Sequence, residues 1–201
     1  FFGWRVAIYA SDNGSNPIAI VGTGHPDNQE LGEAYIFEKS GGNWQRHKIL
    51  RTDNGFGSSV AIYGDTVIVG ALWSRKAYIF KRNSLNDWVE KINSGTYGAD
   101  IDWFGWSVAI NSSYAVVGAP RTNDQMGAAY IFKKSGGNWE TTPTTITRSG
   151  SSFGDYRERF GYSVAINNNN FVIIGAPYYE RWDKPGGAYV FLLNNLGDWI
   201  Q

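Results

Sequence analysis

Aromatic side chains are the most conspicuous chemical resource of this chain, with nine Trp, twelve Tyr and eleven Phe among 201 residues. Trp73, Trp103 and Trp182, together with Tyr178 and Tyr179, fall in segments that read as loops: ALWSRK, ADIDWFG and PYYERWDKPGG. Tyr156 lies in another. Loop-borne rings stack on sugar faces or anchor a protein partner. They also lid seams between packed elements, and at this stage both uses stand. Carboxylates are less suggestive. Asp100 with Asp102, or Asp155 with Glu158, can be cast as the acid and base of glycoside hydrolysis, but short Asp-rich turns explain them more simply. Only two histidines occur, His25 and His47, both in polar surroundings. Neither a Ser-His-Asp arrangement nor a histidine metal site is expected from them. Cysteine is absent, which removes disulfides, thiolate catalysis and cysteine-ligated zinc. No catalytic residue is assigned, and the chain is expected not to be an enzyme.

Those loops need a scaffold, and composition bounds it. A chain of 201 residues with 42% apolar content can bury a sizeable core. Eighteen basic and eighteen acidic residues cancel, so no global field draws the chain to nucleic acid or to an anionic membrane. No apolar run approaches the roughly 20 residues a spanning helix needs, so membrane insertion is not expected. The opening at FFGWRV, without an initiator Met or a basic start, reads as a mature or cut segment.

Self-similarity then organises the whole chain. Phe-Gly pairs begin at residues 2, 56, 104 and 160 and open the strings FGWRVAI, FGSSVAI, FGWSVAI and FGYSVAI. Each string is followed by a second apolar run (IAIVGT, TVIVGA, AVVGAP, VIIGAP), then by EAYIF, KAYIF, AAYIF or GAYVF, and finally by a Trp at 44, 88, 139 or 199. Four copies, approximately 1–50, 51–98, 99–147 and 148–201, account for one repeat domain.

Within a copy, the first two runs are split by turn-forming residues such as Asn111-Ser112-Ser113 or Tyr63-Gly64-Asp65-Thr66, which makes them a β-hairpin. The third run carries Tyr-x-Phe: Tyr35 and Phe37, Tyr78 and Phe80, Tyr130 and Phe132, Tyr189 and Phe191. Residues two apart share a strand face, so both rings point one way while Ile36, Ile79, Ile131 or Val190 points the other. Apolar character on both faces means sheets stacked against sheets. The Trp-led fourth strand alternates weakly and belongs at the solvent-facing edge. Helical periodicity is missing throughout. The fold class is therefore all-β, with four antiparallel strands per repeat, the make-up of a β-propeller blade.

The order Phe-Gly, then Gly118-Ala119-Pro120 or Gly175-Ala176-Pro177, closely resembles the FG-GAP repeat of integrin α-chain propellers and of many bacterial surface proteins. The SVAI, AYIF and SGGNW variants are similar to the bacterial type. Gly22-Thr23-Gly24 and Gly70-Ala71-Leu72 depart from the triplet. The resemblance implies a propeller of four FG-GAP-type blades, either a closed four-bladed ring, part of a larger propeller, or an open unit completed by another chain. It also implies Ca²⁺ in the loop after the second strand, where the integrin-type repeat sets several carboxylates at alternate positions. Here that loop offers only Asp27 with Asn28, Asn123 with Asp124, and Asp183, without the alternating acidic pattern, so no metal or other cofactor is assigned. The function implied is a non-enzymatic extracellular or cell-surface module for adhesion, binding or assembly. Its partner would be a protein or a glycan, with Trp73, Trp103, Trp182, Tyr178 and Tyr179 as the ligand-binding candidates. A lectin-like propeller is one alternative; a subunit forming homo-oligomers or filaments through exposed strand edges is the other. The sequons at Asn13 and Asn111 lie in hairpin loops where a glycan would fit.

Overall fold

The computed structural model describes residues 2–10, 16–25, 30–50, 53–94, 97, 102–148, 157–177 and 186–201. They form four antiparallel sheets, each a simple meander in chain order. The first holds β1 (Arg5–Tyr9), β2 (Ile18–Gly22), β3 (Ala34–Ser40) and β4 (Asn43–Leu50); the second holds β5 (Phe56–Tyr63), β6 (Thr66–Ala71), β7 (Lys76–Arg82) and β8 (Trp88–Asn93). The third comprises β9 (Ser107–Ile110), β10 (Tyr114–Ala119) and β11 (Ala128–Ser135), with its outer strand broken into β12 (Asn138–Trp139) and β13 (Thr144–Ile146). Pro143, which has no N–H to donate to a ladder, lies in the break. The fourth is β14 (Ser163–Ile166), β15 (Phe171–Ala176), β16 (Gly187–Leu193) and β17 (Trp199–Ile200). Each sheet packs on the next, so the four form one arc of blades.

The seams follow from the alternation of side chains along each strand. Ile18, Ile20 and Ile36 of the first sheet meet Phe56, Tyr78 and Phe80 of the second. Ile68 and Ile79 of the second meet Phe104, Tyr130 and Phe132 of the third, and Val116 and Ile131 of the third meet Phe160, Val172 and Phe191 of the fourth. One sheet thus always presents an isoleucine face and the next an aromatic face. Phe56, Phe104 and Phe160 are wholly buried. Each sits edge-on to the Phe of its own Tyr-x-Phe or to the Tyr, as in Phe104 with Tyr130 at 5.1 Å and 65°. Edge-to-face rings of this kind add roughly 0.5–1.5 kcal/mol beyond their area burial.

The glycine after each Phe has two causes. Gly105 takes φ of 90°, and the Trp106 N–H donates to the Trp103 carbonyl across it at 3.1 Å, so Phe-Gly is the centre of a tight turn that requires left-handed backbone. The turn also pushes its carbonyl against the preceding sheet. A Cβ on Gly70 of β6 would lie 2.2 Å from the Gly105 oxygen, and one on Gly118 of β10 would lie 2.0 Å from that of Gly161. Only glycine on the second strand lets the blades close to this distance.

Burial separates the inner sheets from the outer ones. β6 and β10 are buried along their whole length, whereas β15 alternates between buried and exposed. The aromatic face of the first sheet is open, with Phe2, Val6 and Ile8 exposed, and so is the isoleucine face of the fourth, with Phe171, Ile173, Val190 and Leu192 exposed. The first and fourth sheets do not cover each other, so the four described sheets form an open arc.

A polar pin holds the turn into the second blade. The Asp53 carboxylate accepts hydrogen bonds from the Tyr78 hydroxyl and from Lys76 Nζ at 2.9 Å. Burial pushes the Asp53 carboxyl up, but these two hydrogen bonds, with the charge of Lys76, outweigh it and hold the group below its ordinary value. A carboxyl depressed in the folded state contributes stability above its unfolded pKa and loses it as pH falls through the folded one. Asp53→Asn is therefore expected to lower the urea midpoint at neutral pH, and the gap from wild type should narrow below about pH 4. A gap that stays constant down to pH 3 would show that the pin has no electrostatic role.

Candidate functional site

Two slots of the repeat meet among the described residues: the one just before Phe-Gly, and the one just after the triplet that ends the second strand. In the third blade these are Trp103 and Arg121. Trp103 has φ of 60°. A bulky side chain there is a backbone outlier, costing about 1–2 kcal/mol against right-handed conformations. Gly55 occupies the slot in the second blade with φ of 69° and Arg159 in the fourth with φ of 55°, so the turn imposes this conformation whatever the side chain.

What holds Trp103 there is a stack. Its ring lies parallel to Trp106, with centroids 4.7 Å apart and planes 12° from each other. The Arg121 guanidinium carbon stands 3.6 Å from the Trp103 centroid, and that of Arg159 stands 5.9 Å away. A parallel ring and a guanidinium cannot share one face at these distances, so Trp103 is sandwiched between them. Trp106 continues the row to Tyr162 of the fourth blade at 5.1 Å. Hydrogen bonds brace the row: the Arg121 N–H donates to the Asp102 carbonyl at 3.1 Å, the Arg159 N–H to that of Gln125 at 2.9 Å, and the Arg159 guanidinium to Gln125 Oε1 at 3.2 Å.

The first strands of the four sheets line an open cavity of about 210 Å³. Arg5, Ser59, Trp106, Ser107, Tyr162 and Ser163 line it. Two of the serine hydroxyls are already engaged, Ser59 donating to the Gly105 carbonyl and Ser107 to that of Gly161. The cavity thus offers a ligand the Arg5 charge, the Ser163 hydroxyl and the rings of Trp106 and Tyr162. In the first blade Trp4 and His25 pair at 4.3 Å, and Arg5 lies over Trp4 at 5.2 Å, so mixed cationic and aromatic contacts recur along the rim.

The other candidates divide clearly. Trp73 lies on the short turn Leu72–Ser74, in the slot that Arg121 fills one blade later. It packs over Gly55, whose Cβ would come within 2.9 Å of its ring. Its indole N–H is buried without an acceptor among the described residues. Trp73 therefore closes the turn beneath it. Trp182, Tyr178 and Tyr179 lie outside the described residues, as do Tyr156, Asp100, Asp155, Asp27, Asn28, Asp183 and Asn13. Glu158 is almost fully buried and ion-paired with Arg148. Asn123 and Asp124 sit in an exposed left-handed turn, and among the described residues no three His, Asp or Glu side chains gather. The sequon at Asn111 needs correction. Asn111 is 2% exposed, its Oδ1 accepts the Ser113 and Tyr114 N–H groups, and its Nδ2 donates to the Asn167 carbonyl at 2.7 Å. The nitrogen a glycan would need is spent on joining two blades.

Comparison with known proteins agrees with the geometry. The FG-GAP repeat family matches residues 51–80, 96–132 and 145–191. The chain belongs to the FG-GAP repeat family. It is similar to integrin alpha-M of Mus musculus, 29% identical over 153 residues that cover 69% of the chain and 12% of that protein. It is also similar to integrin alpha-7 of Rattus norvegicus and of Homo sapiens, 33% and 34% identical over 92 and 90 residues. Those two matches cover 43% and 42% of the chain and 8% and 7% of the relatives. The FG-GAP chain thus spans only a small part of each curated relative.

Sequence reasoning singled out Trp103 but missed Trp106, Arg121 and Arg159. The signal was present in the repeat itself, since Trp103 and Arg159 share one slot and Trp73 and Arg121 another. Replacing Trp103 by Ala removes the stack and keeps the left-handed penalty, while replacement by Gly removes both. Trp103→Gly is expected to be more stable to urea unfolding than Trp103→Ala, by about 1 kcal/mol. Equal stabilities would mean that the backbone at 103 is unstrained.

Proposed function

We propose that this FG-GAP chain is a non-enzymatic binding and adhesion module of an extracellular or cell-surface protein, and that its partner is a protein. The supporting observation is the Trp103–Trp106–Tyr162 row, braced by Arg121 and Arg159, of which Trp106 and Tyr162 line the cavity. Rigid aromatic and Arg groups at a concave, pre-formed site are what protein interfaces use as anchors, because little conformational entropy is lost when they engage. Similarity to integrin alpha chains supports the adhesive setting. The sandwich around Trp103 argues against the lectin alternative, since a sugar needs a free ring face and both faces of Trp103 are occupied within the chain. Support for a non-enzymatic role comes from the engagement of Glu158 by Arg148, which leaves that carboxyl as half of an ion pair.

Parallel screens of the immobilised chain on arrays of extracellular proteins and of glycans test this reading. A protein hit is expected, weakened at least tenfold by Trp106→Ala and by Arg5→Ala with the far-ultraviolet circular dichroism unchanged. Glycan binding with a silent protein array would replace the proposal by the lectin reading. Hydrolytic turnover abolished by Glu158→Gln would overturn the non-enzyme assignment.

A further inference from the structure

One slot of the repeat changes its chemistry in a single blade. The second residue after Phe-Gly is Ser59, Ser107 or Ser163 in the second, third and fourth blades, and Arg5 in the first. Serine there serves the seam, since Ser59 and Ser107 each donate to the next Phe-Gly carbonyl. Arg5 makes no such bond among the described residues. It lines the cavity with the serines, and its guanidinium carbon stands 5.2 Å from the centroid of the Trp4 ring.

Charge makes the replacement informative. Arg82 and Arg148 are ion-paired with Glu38 and Glu158, and Arg121 stacks closely on Trp103. Arg5 has no carboxylate partner among the described residues, and no acidic side chain lines the cavity. A guanidinium resting against a ring keeps its fork of N–H donors for another acceptor. That fork matches the two oxygens of a carboxylate. A phosphate or sulfate ester brings three acceptor oxygens and is met by a cluster of arginines, whereas one cation lines this cavity.

The remaining walls define what carries the charge. Val60, Val108 and Val164 line the cavity beside Trp106 and Tyr162, so an apolar stem suits it. A peptide terminus would instead bring its amide against walls where two of the three hydroxyls are already spent. Size agrees. The volume of about 210 Å³ is below the roughly 300–1,000 Å³ of pockets that enclose a whole small ligand. It admits one side chain of a larger partner.

We infer that Arg5 determines the specificity of the protein-binding site proposed above, and that the partner inserts a glutamate or aspartate side chain here. The carboxylate takes the Arg5 fork, and the methylene stem lies against Trp106 and Tyr162. This deepens the protein-binding reading and rests on it.

Labelled peptides of one neutral sequence, titrated against the purified chain by fluorescence anisotropy, test the carboxylate. One carries a glutamate, one a glutamine and one a phosphoserine, all with blocked ends; a fourth has no acidic side chain and a free C-terminus. The glutamate peptide is expected to bind about tenfold tighter than the glutamine peptide, the lower end of what a hydrogen bond to a charged group contributes. Raising the salt from about 0.05 to about 0.5 M should shrink that preference. Arg5→Gln should abolish it with the far-ultraviolet circular dichroism unchanged, and Arg5→Lys, which keeps the charge without the planar fork, should retain part of it. Equal binding of the glutamate and glutamine peptides by the wild-type chain would overturn the inference, and that comparison needs no variant to fold. So would a preference that survives Arg5→Gln, or tighter binding of the phosphoserine or free C-terminal peptide. The protein array decides the broader reading separately: a protein hit without glutamate preference removes the carboxylate alone, and a silent array with the preference intact removes the protein partner alone.

Discussion

A carbonyl oxygen pressed onto a glycine is the contact on which this architecture depends. The Phe-Gly turn aims its carbonyl at the preceding sheet, and the second strand of that sheet can receive it only where no Cβ stands. Once the backbones are that close, the Phe ring has no exit to solvent and fills the seam, which is why Phe56, Phe104 and Phe160 are wholly buried. Serine hydroxyls at positions 59 and 107 then satisfy the same carbonyls, which would otherwise lose water without compensation. Steric fit and hydrogen bonding act on one atom. The repeat preserves the small residues for this reason and tolerates change elsewhere.

The same turn generates the rim. Its entry residue is forced into left-handed backbone, and where that residue is Trp103 the penalty is offset by a stack on Trp106 and a guanidinium from the neighbouring loop. The scaffold thus converts a local backbone requirement into a rigid aromatic row, two rings of which line the cavity. Function, on this account, is displayed at the places where the seam geometry leaves side chains no freedom to relax.

Much of this was legible in the residues. Period, Phe-Gly placement and the opposition of Tyr-x-Phe to Ile were sufficient for four antiparallel sheets stacked face to face, because they express short-range rules of strands and turns. The rim was only partly legible. Trp103 was visible as a loop indole, but Arg121 reaches it from a different loop, and nothing local in PRTND announces that approach. Asn111 misled for a related reason: a sequon in a hairpin reads as exposed, yet its amide bridges to Asn167 of the next blade. Contacts between repeats are set by how sheets stack, which no single strand encodes. The open faces were equally hidden, since β2 and β15 are as apolar as β6 and β10 and differ from them only in having one neighbour instead of two.

The central claim, that close carbonyl approach and not merely apolar burial demands glycine on the second strand, is tested most directly by comparing Gly118→Ala with Gly175→Ala in urea unfolding. At 118 the new methyl meets the Gly161 carbonyl, and a loss of about 1–3 kcal/mol or more is predicted. At 175 it meets only the Ser163 hydroxyl, which can turn away, so stability should change by no more than about 0.5 kcal/mol. Equal losses at the two positions would contradict the account.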